Sequence, residues 1–373
     1  MTSDPTVVSA GVMAGYLTAH IPDLTAFWTL QMDDILDFLV VIPTFRRPDP
    51  LRAAISSALH QPRVTKQIIV VDDCPNGSAA EVVAAFPEVI YLKNPKPSGG
   101  WPGRVRNFAI NFSREKGIKA HYVHFLDDDD TVSNEFYAVA KESLEQHQNV
   151  GVVFGVMRPF TVASADPEQR ERQELRLQEA RSWRVKVTRF SWLYQQIGIS
   201  FKREAITRWL FDQHATFGPE MFLCSGAVIR YRHVLALGGF PDVRITEDYW
   251  FYTEAIRKFG VLFLKMEVVG YGVGHPDAMW HTFYPDGAAR AAHKAEWMQA
   301  LRLRRKKFQA EMGTLRYCAR KLIYFAEHIA FTGILIPTLN HQGYFTELDR
   351  IINPAQLANN AASEVHKIGG RHN

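Results

Sequence analysis

FLVVIPTFRRPDPLRAAISSALHQPRVTKQIIVV, residues 38–71, holds two short apolar runs, 38–42 and 67–71, on either side of an amphipathic stretch at 50–60. Runs rich in β-branched residues flanking a helical pattern read as strand, helix, strand. A proline at the head of the middle stretch suits the first turn of a helix, where its missing N–H has no partner to lose. The pattern repeats outward. Residues 79–85 read as a helix, 89–92 as a third strand, 94–103 as a Gly/Pro-rich loop, the residues up to about 114 as a helix and 121–126 as a fourth strand. This alternation predicts βαβ units on a mixed, mostly parallel sheet flanked by helices, whose ligands gather beyond the carboxyl ends of the strands. Polar residues stand at those ends: Thr44 after the first strand, Asp72 and Asp73 after the second, and Asp127 onward after the fourth.

The rest of the chain carries weaker signals. Residues 165–184 are dense in Glu, Gln and Arg at helical spacing and read as a solvated helix or mobile insertion. Residues 222–230 read as a strand, 231–237 as a short helix, 238–241 as a turn, 247–259 as a helix stopping at Gly260, and 261–269 as another strand. Beyond about residue 286 the chain turns helical and basic. Three units are expected: an N-terminal helical extension at 1–36, a main domain at 37–285 with halves at 37–130 and 131–285, and a helical C-terminal extension at 286–373.

The 373 residues are 47% hydrophobic and 22% charged with a net charge of +4, a globular composition too weakly basic to point to nucleic acid. Cys74, Cys224 and Cys318 lack CxxC spacing, so neither a disulfide framework nor a structural zinc site is expected. The opening residues lack a basic segment followed by an apolar core, and residues 322–339, the most apolar late stretch, contain Glu327 and His328. A cytoplasmic protein is expected, with membrane association left open. The basic, aromatic C-terminal stretch reads first as a solvated helical face packed on the main domain. Its second reading is an interfacial helix in peripheral contact with anionic lipid.

Asp127, Asp128, Asp129 and Asp130 are the strongest local signal, because adjacent carboxylates repel one another unless a cation or several donors sit among them. Strand-like geometry would point Asp127 and Asp129 to one side. Hard oxygens of this kind suit Mg²⁺ or Mn²⁺, which in turn hold phosphate oxygens. The bland alternative is a solvated loop capping a helix near Ser133. Glu247 and Asp248 open a helix, where acids also serve simply as caps and dipole partners.

In order along the chain, VIPTFRR (41–47), IVVDD (69–73), FLDDDD (125–130), SGAVIR (225–230), LGGF (237–240) and TED (246–248) resemble the family 2 glycosyltransferases, over roughly residues 37–280. The resemblance implies a GT-A fold and transfer, with inversion, of a sugar from a nucleoside-diphosphate sugar, with UDP favoured over dTDP, to an acceptor hydroxyl. It implies donor contacts from Pro43, Thr44, Phe45 and Arg47, and nucleoside contact by Thr44 and Asp73. It also implies an arginine in VRN (105–107) near the base or diphosphate, Arg106, with Arg104 as the neighbouring alternative. The DxD motif falls on Asp127, Asp128 and Asp129. Asp129 and Asp127 are then the metal ligands for Mn²⁺ or Mg²⁺, and Asp128 joins the donor site. His275 is a further ligand, with His281 as alternative. Asp248 is implied as the general base, beside Glu247. The acceptor, whether glycan, lipid-linked or small molecule, stays open. A sugar-phosphate nucleotidyltransferase is the rival enzyme, disfavoured because no glycine-rich loop follows the first strand. A non-catalytic carbohydrate- or membrane-binding relative is the other.

Overall fold

A computed structural model describes residues 35–162, 166–218, 224–274 and 287–354. Residues 1–34 of the expected N-terminal extension lie outside these, as do His275 and His281. The described strands are β1 Leu36–Thr44, β2 Lys66–Asp72, β3 Val89–Lys93, β4 Ala120–Phe125, β5 Thr131–Val132, β6 Val152–Phe160, β7 Ala227–Arg230 and β8 Val261–Gly272. They form one sheet in the order β3-β2-β1-β4-β7-β6-β8-β5. β1 pairs in parallel with β2 and β4, β2 with β3, and β6 with β8, whereas β7 runs antiparallel to β4 and β6, and β5 antiparallel to β8. The mixed sheet flanked by helices is the expected architecture.

Both faces of the sheet are covered, which is why β1 and β2 are nearly continuous apolar runs rather than alternating ones. On one face Leu39, Val41, Ile69, Val71, Val123 and Phe125 join a core with Val105, Ala109 and Ile110 of the helix α3, Pro102–Glu115. On the other, Phe38, Val40, Ile42, Ile68 and Val70 meet Leu51, Ala54, Ile55 and Ala58 of the helix α1, Pro48–Leu59. The short helix α2, Ala80–Ala84, and the helix α4, Phe136–Gln146, complete that second layer. Odd and even residues of one strand therefore serve opposite cores.

Two expectations change. The charged stretch at 165–184 is the start of a longer helix, α5, Pro167–Ser200, begun by Asp166, whose Oδ1 accepts the Glu168 N–H at 3.0 Å. The solvated-helix reading holds for the charged half, which is mostly exposed, whereas the mobile-insertion reading does not, because the second half buries Val187, Phe190, Leu193 and Tyr194 in the core. The strand expected over 222–230 is confined, among the described residues, to Ala227–Arg230. Cys224–Gly226 is a 3-10 turn, because the Ser225 carbonyl and hydroxyl are engaged by β4 and the residues just after it.

The helices α6, Glu204–Phe217, α7, Tyr231–Leu237, and α8, Glu247–Phe259, follow, and the C-terminal region is helical as expected. It comprises α9, Gly287–Met312, α10, Thr314–Ala330, a π-turn at Phe331–Leu335, α11, Ile336–His341, and α12, Thr346–Ile352. It shares the main core: Phe345, Leu348 and Ile352 are buried with β6 and α5 residues. Where α10 meets α5 and α6, His214 is buried, its Nδ1 3.0 Å from the Tyr194 hydroxyl, with Tyr324 edge-on at 5.9 Å.

Burial, with a smaller contribution from His328, lowers the His214 pKa to about 3. An imidazole depressed in the folded state stays neutral while its unfolded counterpart takes a proton, so stability is lost as pH falls from about 6.5 towards the folded value. From pH 6.5, where half of the unfolded imidazole is already protonated, to pH 5 this one residue is expected to remove about 1–2 kcal/mol. Denaturant unfolding of wild type and His214→Phe at the two pH values checks it: the stability gap should move in favour of the variant at pH 5, and a pH-independent gap would refute the assignment.

Candidate active site

The carboxyl ends of β1, β2 and β4 open on one crevice, and side chains from both halves of the chain meet there. β4 ends at Phe125, and the four aspartates form a turn closed by Asp130 N–H donating to the Asp127 carbonyl at 3.2 Å. The alternation of a strand nevertheless persists in the side chains. Asp128 and Asp130 are fully buried, whereas the carboxylates of Asp127 and Asp129 keep 30% and 18% exposure. A solvated capping loop is thereby excluded, since half of the run points into the protein.

Each inward aspartate has a structural task. Asp128 accepts the Thr44 hydroxyl at 2.7 Å and pairs with Arg47, whose guanidinium also reaches Asp129. Burial nonetheless pushes the Asp128 carboxyl up to about 7, with Arg47 opposing the rise. Asp130 accepts the Gly272 N–H at 2.8 Å, tying the turn to the end of β8. Gly272 is required there, because a Cβ on it would lie 2.1 Å from the Asp129 carbonyl oxygen. Burial, followed by the Asp129 and Asp127 charges, lifts the Asp130 carboxyl well above its ordinary range.

Arg106 joins the two halves. It is buried on α3, donates to Asp127 at 2.6 Å and to Glu247 at 2.7 Å, and lies over the Phe240 ring. Phe240 stacks on Phe251 of α8 at 4.2 Å and meets Phe125 edge-on at 4.8 Å, so the guanidinium rests on a packed aromatic floor. Arg104, the alternative, points away: it is paired with Asp242 and stacked on Trp101. Glu247 is buried, and burial and the neighbouring Asp248 charge raise its pKa against the pull of Arg106. Asp248 is half-buried beside it, and its Oδ1 accepts the Tyr249 N–H at 2.7 Å, the helix-start contact of the bland reading. Burial also raises the Asp248 carboxyl above its ordinary range, with Arg106 opposing.

The remaining expected residues are placed as follows. Asp73 is buried at the end of β2 and organises the 94–103 loop, accepting from Asn94 Nδ2 at 2.6 Å, Ser98 N–H at 2.8 Å and the Ser98 hydroxyl at 2.7 Å. Pro43 and Phe45 are half-buried at the end of β1, where the Phe45 ring lies beneath Arg46. Arg46 and Thr246 both adopt positive φ, at 57° and 63°, directly beside Arg47 and Glu247. A β-branched residue in this region costs about 1–3 kcal/mol and persists only where the surroundings impose it.

Three residues with positional tasks carried no assigned role in the sequence. Ser225 Oγ accepts the Asp127 N–H at 2.9 Å, and its carbonyl meets Nε2 of His124 at 2.8 Å. His124, buried in β4, meets the Tyr137 hydroxyl through Nδ1 at 2.7 Å, and burial lowers its pKa to about 4, so it is neutral near pH 7. Asn107 clamps the backbone of Phe240 at both N–H and C=O. The adjacent sequences VRN and LGGF were visible, but only the fold shows that they touch.

The donor set suits a divalent cation. Among the described residues no three His, Cys, Asp or Glu side chains converge as a closed metal cage. Mg²⁺ and Mn²⁺ need no such cage: one or two carboxylates with substrate phosphates and water suffice. Asp127 and Asp129, the members of the run that keep exposure, are the pair that would hold it.

Residues 39–217 match the family profile described as Glycosyl transferase family 2. The matched segment includes Thr44, Arg47, Asp73, Arg106 and the aspartate run, and ends before Glu247 and Asp248. The chain is 25% identical over 119 residues to the poly(ribitol-phosphate) beta-N-acetylglucosaminyltransferase TarS of Staphylococcus aureus, which covers 31% of this chain and 20% of TarS. It is 34% identical over 101 residues to the succinoglycan biosynthesis protein ExoO of Rhizobium meliloti, covering 27% of this chain and 28% of ExoO. The chain thus spans about a fifth to a quarter of the length of these relatives. Among solved structures, the mannosyltransferase PcManGT of Pyrobaculum calidifontis, in complex with GDP-Man and Mn²⁺, superposes with a TM-score of 0.44 at 14% identity, covering 88% of each chain. On the profile match, residues 39–217 are a glycosyl transferase family 2 segment.

Proposed function

We propose that this protein is a metal-dependent, inverting glycosyltransferase that moves a sugar from a nucleoside-diphosphate sugar, UDP-linked by preference, to an acceptor hydroxyl. The observation that carries the reading is Arg106 bridging Asp127 and Glu247, which brings the aspartate turn and the Glu247–Asp248 pair into a single crevice. The transferase activity in the name of TarS supports the reaction class.

Chemically, the crevice has a donor end and an acceptor end. Arg47 and Arg106 present planar forks suited to diphosphate oxygens, and both already lie against the aspartates. A Mg²⁺ or Mn²⁺ ion held by Asp127 and Asp129 would supply Lewis-acid neutralisation of the leaving diphosphate. Asp248 takes the proton of the acceptor hydroxyl. The hydroxyl oxygen then forms the new bond to the anomeric carbon, and the electron pair of the breaking C1–O bond leaves with the nucleoside diphosphate. Burial raises the proton affinity of Asp248 and so brings it closer to that of the hydroxyl, which a general base requires. Glu247, held by Arg106, keeps the first turn of α8 facing the donor end.

Calorimetry with UDP and a panel of UDP-sugars, with and without Mn²⁺, tests the donor end: wild type should bind in a metal-dependent manner and Asp129→Ala should lose that dependence. Tight, metal-independent binding by both proteins would overturn the metal assignment. At the acceptor end, Asp248→Asn is expected to retain donor binding while transfer falls by on the order of 10²–10⁴-fold, the usual contribution of a general base. Transfer at near wild-type rate in an acceptor screen would show that another group removes the proton.

A further inference from the structure

We propose that α9 and α10 dock this protein on the surface of an anionic phospholipid bilayer, independently of the reaction it catalyses. Thr314–His341 forms a helical stretch long and apolar enough to cross a membrane by length and composition, yet only 11% of its most apolar window is buried. Its outward side carries an apolar stripe. Leu315, Leu322 and Ile329, spaced two turns apart, are 87%, 71% and 67% exposed, and Phe325 and Ile334 flank them. Such a face on an otherwise well-packed fold marks a contact surface.

The opposite side of α10 decides between spanning and lying flat. Tyr317, Tyr324 and Phe331 are buried there, with the first two rings on Phe217 at 5.1 and 6.0 Å. Arg320 is fixed between them, donating to Asp212 at 2.7 Å and to Gln213 at 2.6 Å. A helix pinned lengthwise to α6 through an ion pair cannot stand across a bilayer without dragging that pair into hydrocarbon. It can immerse its outer face to the depth of the headgroup–acyl boundary.

Charge then selects the kind of surface. Arg302, Arg305 and Lys306 are exposed on α9, and Arg316 and Lys321 on α10. No ion pair to any of the five is found among the described residues; of the acids nearby, Asp212 is held by Arg320 and Arg257, Glu311 by Arg257 and Glu254 by Lys307. The basic face of α9 runs close to α10, as the Arg305 charge acting on Tyr317 attests. An apolar helix face edged by unpaired cations complements anionic headgroups over hydrocarbon. A second copy of the chain would bring the same five cations against their equivalents.

Flotation of the full chain with vesicles of phosphatidylcholine alone, or of phosphatidylcholine and phosphatidylglycerol in equal parts, tests this, together with sedimentation velocity without lipid. Binding is expected to the mixed vesicles, weakening as salt rises. Arg305→Glu with Lys306→Glu, and separately Leu322→Glu with Ile329→Glu, should each lower it by about tenfold or more. All four positions are exposed, and unchanged melting will show that the variants fold. Absence of binding to the mixed vesicles overturns the proposal, as does equal binding by the wild type and both variants. A lipid-free dimer that Leu322→Glu with Ile329→Glu dissociates, without vesicle binding, assigns the face to a second copy instead.

Discussion

A single buried guanidinium, Arg106, holds the site in the form described. An arginine with 3% exposure keeps its charge only if that charge is answered locally, and its two answers come from distant parts of the sequence, Asp127 and Glu247. Deleting one partner of such a pair typically costs about 3–5 kcal/mol, because the other is left charged and dry. The backbone is built around this contact. A Cβ at Gly103 would lie 2.9 Å from Glu247 Cγ, so glycine lets α3 approach α8 closely enough for Arg106 to reach across. The crevice is thus made by charge compensation between two halves of the chain.

The same constraint explains the aspartate run. Four adjacent carboxylates would repel one another in any solvent-free arrangement. The turn divides them, sending Asp128 and Asp130 inward to Thr44, Arg47 and Gly272, and leaving Asp127 and Asp129 at the crevice. Arg47 and Arg106 balance part of the charge. Under the proposed reaction, phosphate oxygens and a divalent cation would meet groups already paired with each other. Donor binding would then be an exchange of partners within a cluster whose charge the two arginines already offset in part.

Much of this could be read from the residues alone, for identifiable reasons. The strands β1 to β4 and the intervening helices follow from β-branched runs, proline placement and helical spacing, all local signals. Asp127 and Asp129 on one side followed from a period of two, and the side-chain exposures keep that period although the ladder has ended. Contacts between sequence-distant groups were not legible. Nothing local says that Thr44 gives its hydroxyl to Asp128, that Asp73 organises the 94–103 loop, or that Arg106 rather than Arg104 faces the site. His124 and Ser225 were hidden for the same reason, since a histidine in an apolar strand and a serine before a strand have no distinguishing pattern. The charged residues 165–184 read as a solvated helix and from residue 167 they are one, mostly exposed; their composition does not show that the helix runs on to Ser200, where apolar residues from Val187 onward are buried.

The C-terminal helices bear on the site through α8. Arg304 of α9 is buried 3.8 Å above the ring of Tyr249, the residue after Asp248, and Phe308 lies beneath Arg257 of α8 at 4.1 Å. Lys307 pairs with Glu254 two turns along the same helix. α8 is therefore gripped at its start by Arg106 and along its outer side by α9. Close-packed contacts of this kind transmit displacement rather than absorb it. A shift of α9 moves α8 or breaks the aromatic and ionic contacts between them, and a shift of α8 strains the pair between Arg106 and Glu247. The C-terminal helices and the Glu247–Asp248 pair are thus joined through one helix, α8. Thr246, at the entrance to that helix, is held at a positive φ that a β-branched residue keeps only where its surroundings impose it.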